Sequence, residues 1–96
     1  MAFTTLEVLE VEEAVQSMAN AEDLFRLGLM YSTDLEDRGP DFVEAHKWFN
    51  LAAMMGYSPA KACREEITLE MSAEDITAAQ KIARSWLQEN RALFAH

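Results

Sequence analysis

Thr4 before Glu7, Asn20 before Asp23, Asp41 before Glu44 and Ser72 before Asp75 each set an oxygen-bearing side chain at a possible helix start, three places ahead of an acid. The oxygen can accept from a free amide of the first helical turn, and the acid suits the positive end of the helix. Ser58-Pro59 adds a fifth start, because proline at the first helical position gives up only an amide that had no partner. Five helices are therefore predicted, over 4–18, 21–33, 42–55, 59–70 and 73–93. The stops agree, since Gly39-Pro40 breaks the chain before the third segment and Gly56 follows it as a left-handed C-terminal residue.

Periodicity supports the same division. Phe42, Ala45, Phe49, Ala52 and Ala53 share a stripe with Trp48 at its edge, and Ile76, Ala79, Ala83, Trp86 and Leu87 form another, so both segments read as one-sided packing helices. The first segment alternates like a strand at Leu6-Glu7-Val8, yet Val8, Val11, Val15 and Met18 keep helical spacing, and helix is the reading. The one real loop, "STDLEDRGP" at 32–40, is polar apart from Leu35 and lets its flanking helices lie antiparallel.

The stretch "LFRLGLMY", 24–31, is apolar at six of eight positions with Gly28 at its middle. A mid-helix glycine costs about 1 kcal/mol relative to alanine, which is tolerable where a partner helix comes close. The expected approach is near Ala52 or Ala53, with Leu24, Leu27, Gly28 and Tyr31 on the face packed within the pair. Phe25 and Leu29 then lie on another face that still needs a cover.

Half the residues are hydrophobic and a quarter charged, the composition of one folded domain. Acids outnumber bases 17 to 8, and the first basic side chain is Arg26. A net charge of -9 would repel phosphate backbones, which argues against nucleic-acid binding. Glu7, Glu10, Glu12 and Glu13 interrupt the N-terminal segment, which fits neither a signal peptide nor a membrane span; a soluble cytoplasmic protein is expected.

Ala45-x-x-Trp48-Phe49 returns 38 residues later as Ala83-x-x-Trp86-Leu87, a period in the range of helix-pair repeats. The small residue admits a neighbouring helix, and the tryptophan one turn on fills the wedge between pairs. More specifically, the run from Ala21 to Ala60 resembles the Sel-one-like repeat family, a relative of the tetratricopeptide repeats. Leu27-Gly28 with Tyr31 is similar to the first-helix signature, and Ala45, Trp48, Ala52-Ala53, Gly56 and Ala60 to the second helix. The stretch Lys61 to Leu87, with "AQKIARSWL", resembles a degenerate second repeat of the kind that ends such arrays in bacterial proteins. Glu65-Glu66 stands there in place of the Leu-Gly pair, so that repeat's first helix should pack less closely.

The resemblance implies an all-α fold: a short right-handed α-solenoid of antiparallel helix pairs, about five helices in all. Its expected parts are an acidic N-terminal helix over 1–20, a repeat over 21–57, and a degenerate repeat with a capping helix over 58–96. It also implies a groove lined by Glu22, Phe25, Leu29, Ser32, Thr33, Cys63, Ile67 and Met71. Either that groove is open, or the N-terminal helix lies across Phe25 and Leu29, as the ends of a minimal solenoid need covering.

Chemistry-bearing residues are few. Cys63 is the only cysteine, excluding an intrachain disulfide and a cysteine-rich zinc site, and nothing near it in sequence supplies a base. His46 and the terminal His96 lack metal-ligand spacing and are expected to be exposed. Asp34, Glu36, Asp37 and Asp41 have the wrong spacing for a calcium loop, and Arg38 intrudes. No cofactor, metal or enzymatic activity is therefore expected. The resemblance implies a protein-binding adaptor or scaffold, whose partner would be a basic or amphipathic segment. The alternative is a small acidic regulator that occludes a basic surface on an enzyme or DNA-binding protein through Glu7 to Asp23. A homodimer that buries the open ends of the array is a further expectation.

Overall fold

Every one of the four sequence-read caps closes a helix start. In a computed structural model, which describes residues 3–35 and 38–94, the helices are α1 (Thr5–Ser17), α2 (Ala21–Tyr31), α3 (Phe42–Met54), α4 (Ser58–Thr68) and α5 (Ala73–Glu89). A 3-10 turn, Arg91–Phe94, follows. Glu36, Asp37 and His96 lie outside the described residues.

At α1 both arms of the capping box form: the Glu7 amide donates to Thr4 Oγ1 at 3.1 Å, and the Thr4 amide to Glu7 Oε1 at 2.9 Å. That local pairing resolves the strand-like alternation in favour of helix. Asn20, Asp41 and Ser72 accept from the amides of Asp23, Glu44 and Asp75. The start of α4 falls one residue earlier than predicted, with Tyr57 as an N-cap that makes no side-chain bond and Pro59 in the first turn. Gly56 ends α3 at φ +90°, in the left-handed region where a side chain would be strained.

The architecture is all-α, a short helical repeat-like stack built around α3. α2, α4 and α5 each pack directly on it, and α1 packs on α2. Gly28 lies against Phe49, and the Asp41 amide donates to the Tyr31 carbonyl at 2.7 Å, so α2 and α3 run antiparallel. The echoed tryptophans meet, Trp48 and Trp86 packing edge to face at 5.3 Å between α3 and α5. Their companion alanines, Ala45 and Ala83, are buried. α4 lies on α3 with only Ala60 fully buried, and Glu65 and Glu66 are exposed, whereas Leu27 and Gly28 of α2 are buried.

Three expectations are corrected. α5 is one-sided, but α3 is not: Ala45, His46, Lys47, Trp48 and Phe49 are all buried, because neighbours lie on three sides. His46, expected at an exposed helix edge, is only 3% accessible. Gly28 makes room for a ring and not for the small residues of α3: a Cβ built there would overlap Phe49 Cδ1 and Cε1 and sit 2.9 Å from Cγ.

The 32–40 loop is pinned by its one apolar side chain. Leu35 is buried, bridges to Phe3 near the N-terminus, and donates its amide to the Arg38 carbonyl at 2.8 Å. The Arg38 guanidinium sits 4.5 Å from the centre of the Tyr31 ring.

Gly28→Ala should destabilise the fold. Overpacking a filled site costs about 1–3 kcal/mol, and alanine returns about 1 kcal/mol of helix propensity, leaving a net loss of up to about 2 kcal/mol. Urea unfolding checks this, and Phe49→Leu in the same chain should recover part of the loss attributable to the clash.

Candidate interaction surface

α1 meets α2 along one flank. Asp23, Arg26 and Met30 line that seam with Glu7, Glu10, Val11 and Ala14, and the Tyr31 hydroxyl donates to Glu12 Oε1 at 3.3 Å. Burial, then the carboxylates of Glu12 and Glu44, push the Tyr31 phenol up to about 12, against the lowering effect of Arg38. It therefore stays a neutral donor. Phe25 and Leu29 lie roughly 90–130° further round the helix at 100° per residue. α1 thus seats on a different side of α2 from the two residues that were in question.

Phe25 is covered from elsewhere. Its ring packs against Phe49 at 5.6 Å and Tyr57 at 5.1 Å, making a three-ring cluster among α2, α3 and the start of α4. Aromatic contacts of this kind add to area burial, so Phe25 is half core and half surface. Leu29, also half-buried, lies one turn further along. At the other end of the helix, Ser32 and Ile67 line a single open cavity with Phe42, Glu66, Leu69 and Glu70. The first residues of α4 therefore lie beside early α2 and the last beside its end, so the two helices run parallel.

That cavity, about 450 Å³, has an apolar floor of Phe42 and Ile67 and an acidic edge of Glu66 and Glu70. Leu69 is 86% exposed, a large apolar side chain held in water at the cavity's lip. Of the sequence-read groove residues, Ser32 and Ile67 meet here. Glu22 is exposed at the start of α2, Thr33 lies beyond its end, Cys63 is half-buried on α4, and Met71 follows that helix. None of these four lines the cavity. The hydroxyls of Ser32 and Thr33 donate to the carbonyls of Leu29 and Met30, so their protons serve the end of α2.

Sequence reading missed Phe42, Leu69, Glu66 and Glu70. Phe42 had been placed in the α3 stripe, and its position at N1 beside the end of α4 is a tertiary fact. Leu69 and Glu70, read as the last residues of the fourth helix, instead follow α4, which ends at Thr68.

The reactive side chains sit in discouraging surroundings. Burial, and then the Glu66 carboxylate, raise the Cys63 thiol pKa, which disfavours the thiolate. His46 Nδ1 is buried without a hydrogen-bond partner, and burial followed by the Arg64 guanidinium lowers the ring's pKa. Arg64 itself donates to Asn50 Oδ1 at 2.7 Å, joining α4 to α3. Among the described residues, no group of three or more His, Cys, Asp or Glu side chains is gathered for a metal ion. Nor is any described helix long and apolar enough to cross a membrane.

No family model, curated protein or solved structure matches this chain.

His46 should make stability depend on pH in a definite direction. Its folded pKa lies below the usual value of about 6.5, so the unfolded chain binds the proton more tightly. The His46 contribution is therefore full above that value and is lost as pH falls from it towards the folded pKa. Urea midpoints across that range should show a smaller acid-side decline in His46→Gln than in the wild type, and NMR titration of the ring should place its midpoint below the usual one.

Proposed function

We propose that this chain is a non-enzymatic protein-interaction module, a cytoplasmic adaptor or scaffold of the Sel-one-like kind that holds a segment of another protein along the α2–α4 face. The observation that carries the reading is Leu69: a leucine 86% exposed beside a cavity floored by Phe42 and Ile67. Single exposed apolar residues are ordinary on protein surfaces. This one continues a half-buried apolar path through Ile67 on α4, with Phe25 and Leu29 on the neighbouring α2, and such a path suits an amphipathic helix or short extended segment. The motif resemblance over 21–60 supports the same reading, as does an environment that disfavours the Cys63 thiolate.

Phe25 is a poor probe of this function because its ring also supports Phe49 and Tyr57. Leu69→Ser is a better one. Its stability should stay within about 0.5 kcal/mol of the wild type, as for other surface substitutions. Burial of a leucine side chain contributes about 1.5–3 kcal/mol, so loss of that contact should weaken a groove-bound partner by one to two orders of magnitude. Tagged wild type and Leu69→Ser should be compared in pull-downs from the native host at low and high salt. A salt-resistant partner lost in the variant supports the groove. A salt-sensitive partner indifferent to Leu69 and lost in Glu7→Gln/Glu10→Gln/Glu13→Gln would instead support the acidic-regulator reading.

A further inference from the structure

The cavity at the shared end of α2 and α4 combines features that favour positive charge. α2 and α4 both bring their C-terminal ends to it, through Ser32 and Glu66–Glu70, and neither helix has a basic residue in its last turn. Helix C-termini carry partial negative charge, normally complemented by lysine, arginine or protonated histidine. Glu66 and Glu70 add two carboxylates at the rim, both exposed and neither in an ion pair among the described residues. The positive N-terminus of α3 also faces this region through Phe42, but the Asp41 side chain caps it and Glu44 stands in its first turn. The neighbouring cations are engaged elsewhere, Arg38 over the Tyr31 ring and Arg64 on Asn50.

From this geometry we infer that the cavity is a subsite for a cationic side chain, arginine or lysine, projecting from an amphipathic segment of a partner protein. The inference rests on the proposed groove reading and names the chemistry of its occupant. The aliphatic stem of such a residue lies on Phe42, Ile67 and Leu69, and its head reaches the carboxylates of Glu66 and Glu70. Lysine and arginine habitually divide apolar stem from solvated charge in this way. A second copy of this chain is a poor occupant, because a two-fold contact through the cavity would set Glu66 and Glu70 against their own images on a protein of net charge -9.

The test uses a random-peptide phage library selected on the immobilised full chain, with enriched peptides then measured on four proteins: wild type, Glu66→Gln/Glu70→Gln, Glu10→Gln/Glu13→Gln and Leu69→Ser. The second double variant removes the same formal charge from exposed positions on α1. Thermal melts establish that each is folded. Enriched peptides should carry arginine or lysine beside apolar residues. Their affinity should fall about three- to tenfold on Glu66→Gln/Glu70→Gln, as expected for losing one or two exposed charge pairs, and stay unchanged on Glu10→Gln/Glu13→Gln. Replacing the peptide's cation with glutamine should cost affinity on the wild type and little on Glu66→Gln/Glu70→Gln. Peptides that need Leu69 but ignore Glu66 and Glu70 would leave the groove standing and overturn the cationic subsite. Equal losses in both charge variants would also overturn it, by assigning the effect to the overall field of the protein. Enrichment of nothing, or only of peptides indifferent to Leu69 and to both glutamates, would overturn the subsite and the groove together.

Discussion

The fold depends on a helix surrounded by three others. Five consecutive residues of α3, Ala45 to Phe49, are buried, and at 3.6 residues per turn such a run goes all the way round the helix. No single neighbour can cover it. α2 takes the side of Phe49 by opening a place at Gly28, α5 takes the side of Trp48 with Trp86, and α4 is tied on through Arg64 and Asn50. The run includes two polar residues, and each meets burial differently. Lys47 is paired, with Nζ 2.8 Å from Glu44 Oε1 and 4.0 Å from the centre of the Trp48 ring. His46 has no comparable partner for Nδ1, and its ring is held towards the neutral form.

This arrangement explains which features could be read in the chain. Caps are local: Thr4 with Glu7, or Ser72 with Asp75, need only three residues of separation to find each other, and all four formed as read. Gly56 was legible for the same reason, since a helix end needing a positive φ favours glycine regardless of what surrounds it. The Ala-Trp echo was legible because both copies lie at one seam, Trp48 on Trp86 between α3 and α5 with Ala45 and Ala83 buried. What failed were inferences about which side chain meets which. A stripe drawn on α3 assumed one buried face, so His46 was placed at an exposed edge, and nothing in local spacing reveals a third neighbour. Gly28 was correctly read as a sign of close approach, but whether an alanine or a phenyl ring comes close is set by how the two helices cross.

The candidate surface was legible in outline and not in its detail. Parallel first helices of successive pairs put α2 and α4 side by side, which is enough to bring Ser32 and Ile67 to one cavity. The cavity's other walls come from helix ends, Phe42 at the start of α3 and Leu69 and Glu70 after α4. Leu69 illustrates the limit most clearly: apolar residues are usually assigned inward, but the surface of a folded protein retains many of them. Only the packed structure separates a leucine such as Leu51, 1% exposed, from one such as Leu69.

The two walls of this surface differ in how firmly they are held. α2 is anchored by Leu24 and Leu27, both with no exposure, by Gly28 against Phe49, and by α1 on its far flank. α4 has one fully buried residue, Ala60, with half-buried Cys63 and Ile67 and the Arg64–Asn50 bond to hold it. Less buried apolar contact lowers the free energy of local opening, so α4 is the softer wall. On the proposed reading this softness has a use, because a helix that shifts a little can accept partners of different girth while α2 keeps the register. Linkage makes the effect reciprocal: a segment that binds the docked form of α4 and not the opened one stabilises that docking by as much as the docking favours the segment. The exposed Glu65 and Glu66 thus bear on α4 in two ways: neither adds a buried contact to its hold on α3, and Glu66 joins Glu70 in the acidic edge on the side where a partner would arrive.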